Sequence, residues 1–118
     1  ERLQSGVGLL DLAALGRLDF HMPDMQRFPC LQLALDALRT GQHACITLNA
    51  ANEIAVAAFL EGKVKFKAIA QIIEVTLNQL SCVGAGDIPD SLDEVLAIDA
   101  QARHWAEQTC QHIMAAAR

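Results

Sequence analysis

At 118 residues and 12.7 kDa the chain has room for one small domain or a part of something larger. A hydrophobic fraction of 53% with only 4% aromatics calls for a core of Leu, Ile, Val and Ala. A net charge of −5, with nine Lys and Arg scattered rather than clustered, argues against nucleic acid or a membrane surface as partner, because phosphate-rich surfaces demand a basic face.

Residues 1–28 set themselves apart from the remainder. Gly6, Gly8, Gly16 and Pro23 interrupt them, and no 3.6-residue period is sustained. "DLAALGRLDF" predicts a short turn capped by Asp11, then an extended piece with Leu18 and Phe20 on one face. Such an arm has little to bury against within itself, and reads as a linker or as a strand of a neighbouring sheet. A first residue of Glu1 rather than Met points to a piece cut from a longer chain. No charged-then-apolar leader is expected at its start, and the longest apolar run, Ile54 to Leu60, falls short of a bilayer span.

From Pro29 to residue 118 the pattern is helical. Pro29 suits a first helical position, Leu31, Ala34, Leu35 and Leu38 follow the i, i+3, i+4, i+7 rule, and Gly41 supplies a left-handed stop. A second helix is predicted from about His43 to Glu61, ended by Gly62. A third covers Lys67 to Leu80, with Ile69, Ile72, Ile73, Thr76, Leu77 and Leu80 on one face and Lys67, Gln71, Glu74 and Asn78 on the other. "SCVGAGDIPD" breaks it. The last helix opens with a Ser91–Glu94 capping box and runs to about Ala117 with the stripe Leu92, Val95, Leu96, Ala102, Ala106, Cys110, Ile113. The predicted fold class is mainly α: a four-helix bundle over 29–118, preceded by an extended N-terminal arm with room for one short strand.

Few residues suggest chemistry. The pairs Gly6/Gly8 and Gly84/Gly86 each make G-x-G, but neither has the third glycine or a strand-to-helix context for dinucleotide binding. Cys30, Cys45, Cys82 and Cys110 form no C-x-x-C pair and read as thiols of a reducing compartment, the cytoplasm. Cys110 and His112 are the nearest approach to a metal pair, and they stand alone. His104 and His112 are two helical turns apart, and neither they nor His21 and His43 complete a nucleophile–base set.

The stretch "LNAANEIAVAAFLEG" is the one ambiguous place. Asn49, Asn52 and Glu53 share one side of a helix that is otherwise apolar nearly all round, the mark of a buried central helix. Buried polar groups need partners, and the last helix offers Asp99 and Arg103, four residues apart and able to pair. One reading makes Asn49, Asn52, Glu53, Asp99 and Arg103 structural polar contacts between helices. The other makes the trio a ligand face for a polyol or phosphate. No general base, nucleophile or metal set completes a mechanism, which favours the structural reading.

"DLAALGRLDF", "PDMQRFPCLQLALDALRTGQ", "LNAANEIAVAAFLEGKVKF" and "VLAIDAQAR", in that order, resemble the C-terminal portion of the 1-deoxy-D-xylulose 5-phosphate reductoisomerase family across essentially the whole chain. The resemblance implies a parent oxidoreductase and isomerase that makes 2-C-methyl-D-erythritol 4-phosphate in non-mevalonate isoprenoid biosynthesis. It also implies that NADPH and a divalent cation, Mg or Mn, serve the parent, itself a homodimer. The metal carboxylates, phosphate-binding residues, lid and glycine-rich NADPH loop of that family lie upstream of the segment matched here. No catalytic, cofactor or metal residue is therefore carried over, no cofactor is expected in this chain, and its partner is the catalytic domain of the same chain. "SCVGAGDIPDS" is slightly longer than the family's usual connection, and Lys67 stands where a small polar cap is common. The rival expectation is a free-standing helical interaction module that buries Leu9, Leu10, Leu12, Leu15 and Leu18 in a partner.

Overall fold

The computed structural model describes residues 10–83 and 88–116. Gly6, Gly8, Leu9, Gly84, Gly86 and Ala117, and the side chain of Cys82, lie outside the described residues.

Asp11 begins the arm's one helical turn, α1 (Leu12–Leu15): its Oδ1 accepts from the N–H groups of Ala13 and Ala14 at 3.0 and 3.1 Å. Gly16, at φ +71°, ends it, as the capped-turn expectation required. The strand does not follow. Leu18 and Phe20 are both exposed, and no strand forms among the described residues, since an extended segment needs a neighbouring strand to satisfy its backbone. A second local turn closes on Asp24, whose Oδ1 accepts from Gln26 and Arg27 N–H.

Four long helices then pack together: α2 (Pro29–Thr40), α3 (Gln42–Leu60), α4 (Ala68–Val83) and α5 (Leu92–Ala116). The chain is mainly α, as predicted. Gly41 alone separates α2 from α3, at φ +129° and ψ −172°, a region open to glycine and little else. At the far end of α3, the N–H of Lys63 donates to Ala58 C=O and that of Gly62 to Phe59 C=O, which together make a Schellman ending around Gly62 at φ +72°.

Helix α3 lies at the centre and touches α2, α4 and α5. Its buried residues are small, Ala44, Thr47, Ala50, Ala51, Ala55 and Ala58, so three neighbours can approach its backbone closely. By length and composition α3 could also cross a membrane; here it is the core helix of the bundle. The bulk comes from α4, whose Ile69, Ile72, Ile73, Thr76 and Leu80 are buried on the predicted face. One cluster joins Ala58 to Ala68, Ile69 and Cys110, and another joins Ala44 to Ala37 and Leu80, so α4 runs antiparallel to α3. The aromatic pair Phe59–Phe66 meets edge to face, centroids 5.7 Å apart, outside an aliphatic core.

Two predicted stripes need correction. In α2 the inward line is Leu33 and Ala37, while Leu31, Ala34 and Leu38 stay exposed. Both lines satisfy the helical period, and α2 sits at the bundle's edge, where the rotation set by α3 and α4 decides between them. In α5 the burial falls on Ala102, Ala106, Thr109 and Cys110, whereas Leu92 and Leu96 are 72% and 56% exposed. At 25 residues α5 is longer than the helices it packs on, and its first turns leave these leucines uncovered.

Candidate functional site

The α3–α5 seam carries the polar residues singled out above. Arg103 Nε donates to Asp99 Oδ2 at 2.6 Å, and Arg103 Nη2 donates to Asp99 Oδ1 at 3.2 Å and to Glu53 Oε2 at 2.7 Å. Asn49 Nδ2 donates to Glu53 Oε1 at 3.3 Å. The i, i+4 spacing brings Asp99 under Arg103 and Asn49 under Glu53, and the parallel course of α3 and α5 brings the two pairs together. A second approach nearer the helix starts, His43 Nε2 to Glu94 Oε1 at 3.9 Å, follows the same parallel course. Asn52, half-buried, makes no side-chain hydrogen bond among the described residues.

Asn49 and Glu53 lie on an exposed face of α3, not a buried one, because its alanine faces are the ones its neighbours occupy. Hydrogen bonds to Asp99, and then to Glu53, hold the Arg103 guanidinium well above its ordinary pKa, against a smaller opposing effect of burial. Both carboxylates thus accept from one permanent cation. Such an arrangement ties two helices together and contains no nucleophile.

A cleft of about 470 Å³ opens where α3 and α5 end, lined by Ala57, Ala58, Glu61, Lys63, Glu107 and Cys110 among others. Burial pushes the Cys110 thiol up, and hydrogen bonding to Glu61 raises Lys63, so the thiol is protonated and the amine charged near neutrality. Neither is poised for covalent chemistry. Cys110 is buried while His112 is exposed, so the two do not form a ligand pair. Cys30 is exposed and Cys45 half-buried, and these two with Cys110 are free thiols. His104 is also exposed and bonds Gln108 at 2.9 Å.

Sequence reasoning missed two groups. His43 Nε2 and Thr47 Oγ1 are buried without a hydrogen-bond partner among the described residues, one turn apart on α3. Thr76 and Thr109 instead donate back to the carbonyls of Ile72 and Trp105 at 2.8 and 2.9 Å. No sequence signal separates Thr47 from those two, since only the packing of α3 distinguishes them. The capping box at α5 is also shifted: Ser91 Oγ accepts from Glu94 N–H at 3.2 Å, but Glu94 reaches the N–H of Asp90 at 2.8 Å.

Among the described residues no three His, Cys, Asp or Glu side chains converge as a metal site. No strand among the described residues leads into a glycine loop of the kind that cradles a dinucleotide, and Gly6, Gly8, Gly84 and Gly86 lie outside those residues.

Comparison with known proteins agrees with these features. Residues 1–105 match the family model of the DXP reductoisomerase C-terminal domain. Over 106 residues the chain is 58% identical to 1-deoxy-D-xylulose 5-phosphate reductoisomerase of Bordetella pertussis, covering 90% of this chain and 26% of that protein. Over 112 residues it is 54% identical to the Xanthomonas axonopodis pv. citri enzyme of that name, covering 95% and 27%. A reductoisomerase structure from Zymomonas mobilis in complex with NADPH superimposes with a TM-score of 0.76 at 41% identity, over 93% of this chain and 28% of that one. Another, in complex with NADPH, fosmidomycin and magnesium, gives 0.80 at 40%, over 94% and 28%. The chain spans about a quarter of the length of the relatives it matches. It belongs to the DXP reductoisomerase C-terminal domain family.

Proposed function

We propose that this chain braces the catalytic part of a reductoisomerase that converts 1-deoxy-D-xylulose 5-phosphate to 2-C-methyl-D-erythritol 4-phosphate with NADPH and Mg or Mn. In this reading residues 1–28 are a linker that lies along the catalytic domain of the same chain and 29–118 are a helical bundle. The parent is a cytoplasmic homodimer. Chemistry stays with the rest of the parent, and the polar network of Glu53, Asp99 and Arg103 keeps α3 and α5 in register.

The family match over residues 1–105 carries this reading. The described arm supports it: Leu10, Leu12, Leu15, Leu18, Phe20 and Met22 are all exposed, an apolar row that nothing among the described residues covers. The purified chain is expected to bind no NADPH and to show no NADPH oxidation with 1-deoxy-D-xylulose 5-phosphate and Mg²⁺. The parent enzyme lacking this chain should lose activity and regain it on co-expression with the chain. Turnover by the chain alone would sink the proposal, as would full activity of a parent lacking it.

A further inference from the structure

Helix α2 has three unlike sides. Toward the bundle it turns Leu33 and Ala37, packed against α3 and α4. A second side is polar and satisfies itself: Gln32 Nε2 donates to Asp36 Oδ2 at 2.8 Å, and Arg39 Nη1 donates to Asp36 Oδ1 at 2.9 Å. The third is apolar and uncovered by any described residue. Leu31 and Leu38 are 40% and 70% exposed, Ala34 is exposed between them, and Leu35 is half-buried. At about 100° per residue these four span an arc of about 100°, as wide as the stripe an amphipathic helix turns to its core. A helix with a self-paired polar side already has its solvent face, so a second apolar arc beside it marks a helix held between two bodies.

The arm feeds directly into that helix. Five residues separate the exposed Met22 from Phe28, and the turn at Asp24 ties them down. Asp24 Oδ1 accepts from Gln26 and Arg27 N–H, its carbonyl accepts from Phe28 N–H at 2.9 Å, and Phe28, 53% exposed, is the N-cap of α2. The apolar row of the arm therefore runs on through Phe28 to Leu31 and Leu38 with no long linker between them. The chain matches a C-terminal domain and about a quarter of its relatives' length, so about three quarters of such a protein precede the arm. A body of that size lying against the arm reaches α2, since Leu31 to Leu38 is on the order of 10 Å of helix. A second copy would have to reach the same arc past that body.

We propose that the arc of Leu31, Ala34, Leu35 and Leu38 is the face by which the bundle docks on the upstream catalytic part of the same parent chain. The inference rests on the bracing role and gives it a surface: the bundle is held by an apolar helix seam, with Phe28 joining that seam to the contact made by the arm. Burial of the arc supplies the attraction, and the Gln32–Asp36–Arg39 side stays in water.

Thiol labelling of the intact parent tests it. Leu38→Cys and Arg39→Cys are adjacent in sequence but stand on different sides of α2, and both positions are exposed in this chain by itself. With a water-soluble maleimide, and peptide mass spectrometry to locate the label, Leu38→Cys is expected to react at least about tenfold more slowly than Arg39→Cys in the intact parent. In the separate chain, confirmed as helical by circular dichroism, the two should react within about threefold of each other. Ala34→Cys, the smallest change on the arc, repeats the comparison should Leu38→Cys loosen the seam, and is expected to be protected likewise. Equal labelling of all three positions in the parent overturns the proposal, as does equal protection of Arg39→Cys. Protection that vanishes when the parent is diluted to single protomers also overturns it, and gives the arc to the second copy. The labelling requires no turnover, so a parent that protects Leu38→Cys yet fails to convert 1-deoxy-D-xylulose 5-phosphate removes the reductoisomerase reading and leaves the docking face standing.

Discussion

At Arg103 one guanidinium serves two helices, bonding Asp99 on its own helix and Glu53 on α3. Half-exposed ion pairs are screened by water, so the network is worth about 1 kcal/mol rather than several. Arg103→Ala is expected to lower stability by about that amount and Glu53→Gln by about half of it, while Asn52→Leu stays within about 0.5 kcal/mol of the unaltered chain. Urea unfolding midpoints read the order directly, and Asn52→Leu costing as much as Arg103→Ala would contradict it. The sequence placed Glu53, Asp99 and Arg103 among the candidates because i, i+4 spacing is visible in one dimension. It could not show that Asn52 stays idle while Asn49 reaches Glu53, because that depends on how α3 is rotated against α5.

Helix ends were legible for a local reason: caps and stops are written in neighbouring residues. Asp11, Pro29, Gly41, Gly62 and Ser91 all act within a few positions of where they stand. The two stop glycines differ in kind, however. Gly62 has the ordinary left-handed conformation, and Gly41 lies in a region that other residues scarcely enter. Beyond its chain neighbours neither has a described atom within 4 Å of where a Cβ would sit, so a substitution at either meets backbone strain rather than a steric clash. Gly62→Ala should cost about 1 kcal/mol, and Gly41→Ala about 2 kcal/mol or more. Thermal unfolding of the two variants checks the order, and equal losses would mean that α2 and α3 pivot freely at Gly41. Which stripe of α2 and α5 faces inward was not legible at this scale, because more than one apolar line satisfies the same period.

For the whole molecule, the core is carried by small residues on α3 and branched ones on α4. Ile72, with no exposed surface, sits where the clustered alanines of α3 and α5 meet α4. Ile72→Ala is expected to destabilise by about 2–5 kcal/mol, whereas Leu96→Ala, on the uncovered start of α5, should change stability by less than about 0.5 kcal/mol. Denaturant unfolding separates the two, and a comparable loss from Leu96→Ala would mean that the start of α5 is covered in solution. The sequence by itself determined that the chain is helical, where its long helices begin and end to within a few residues, and which family it resembles, since periodicity, caps and motifs are local properties. Only the tertiary structure decided that α3 is central, that α3 and α5 run parallel, and that Leu92 and Leu96 stay outside. Each of those depends on the relative rotation and length of helices far apart in the chain, and no one-dimensional period carries that information.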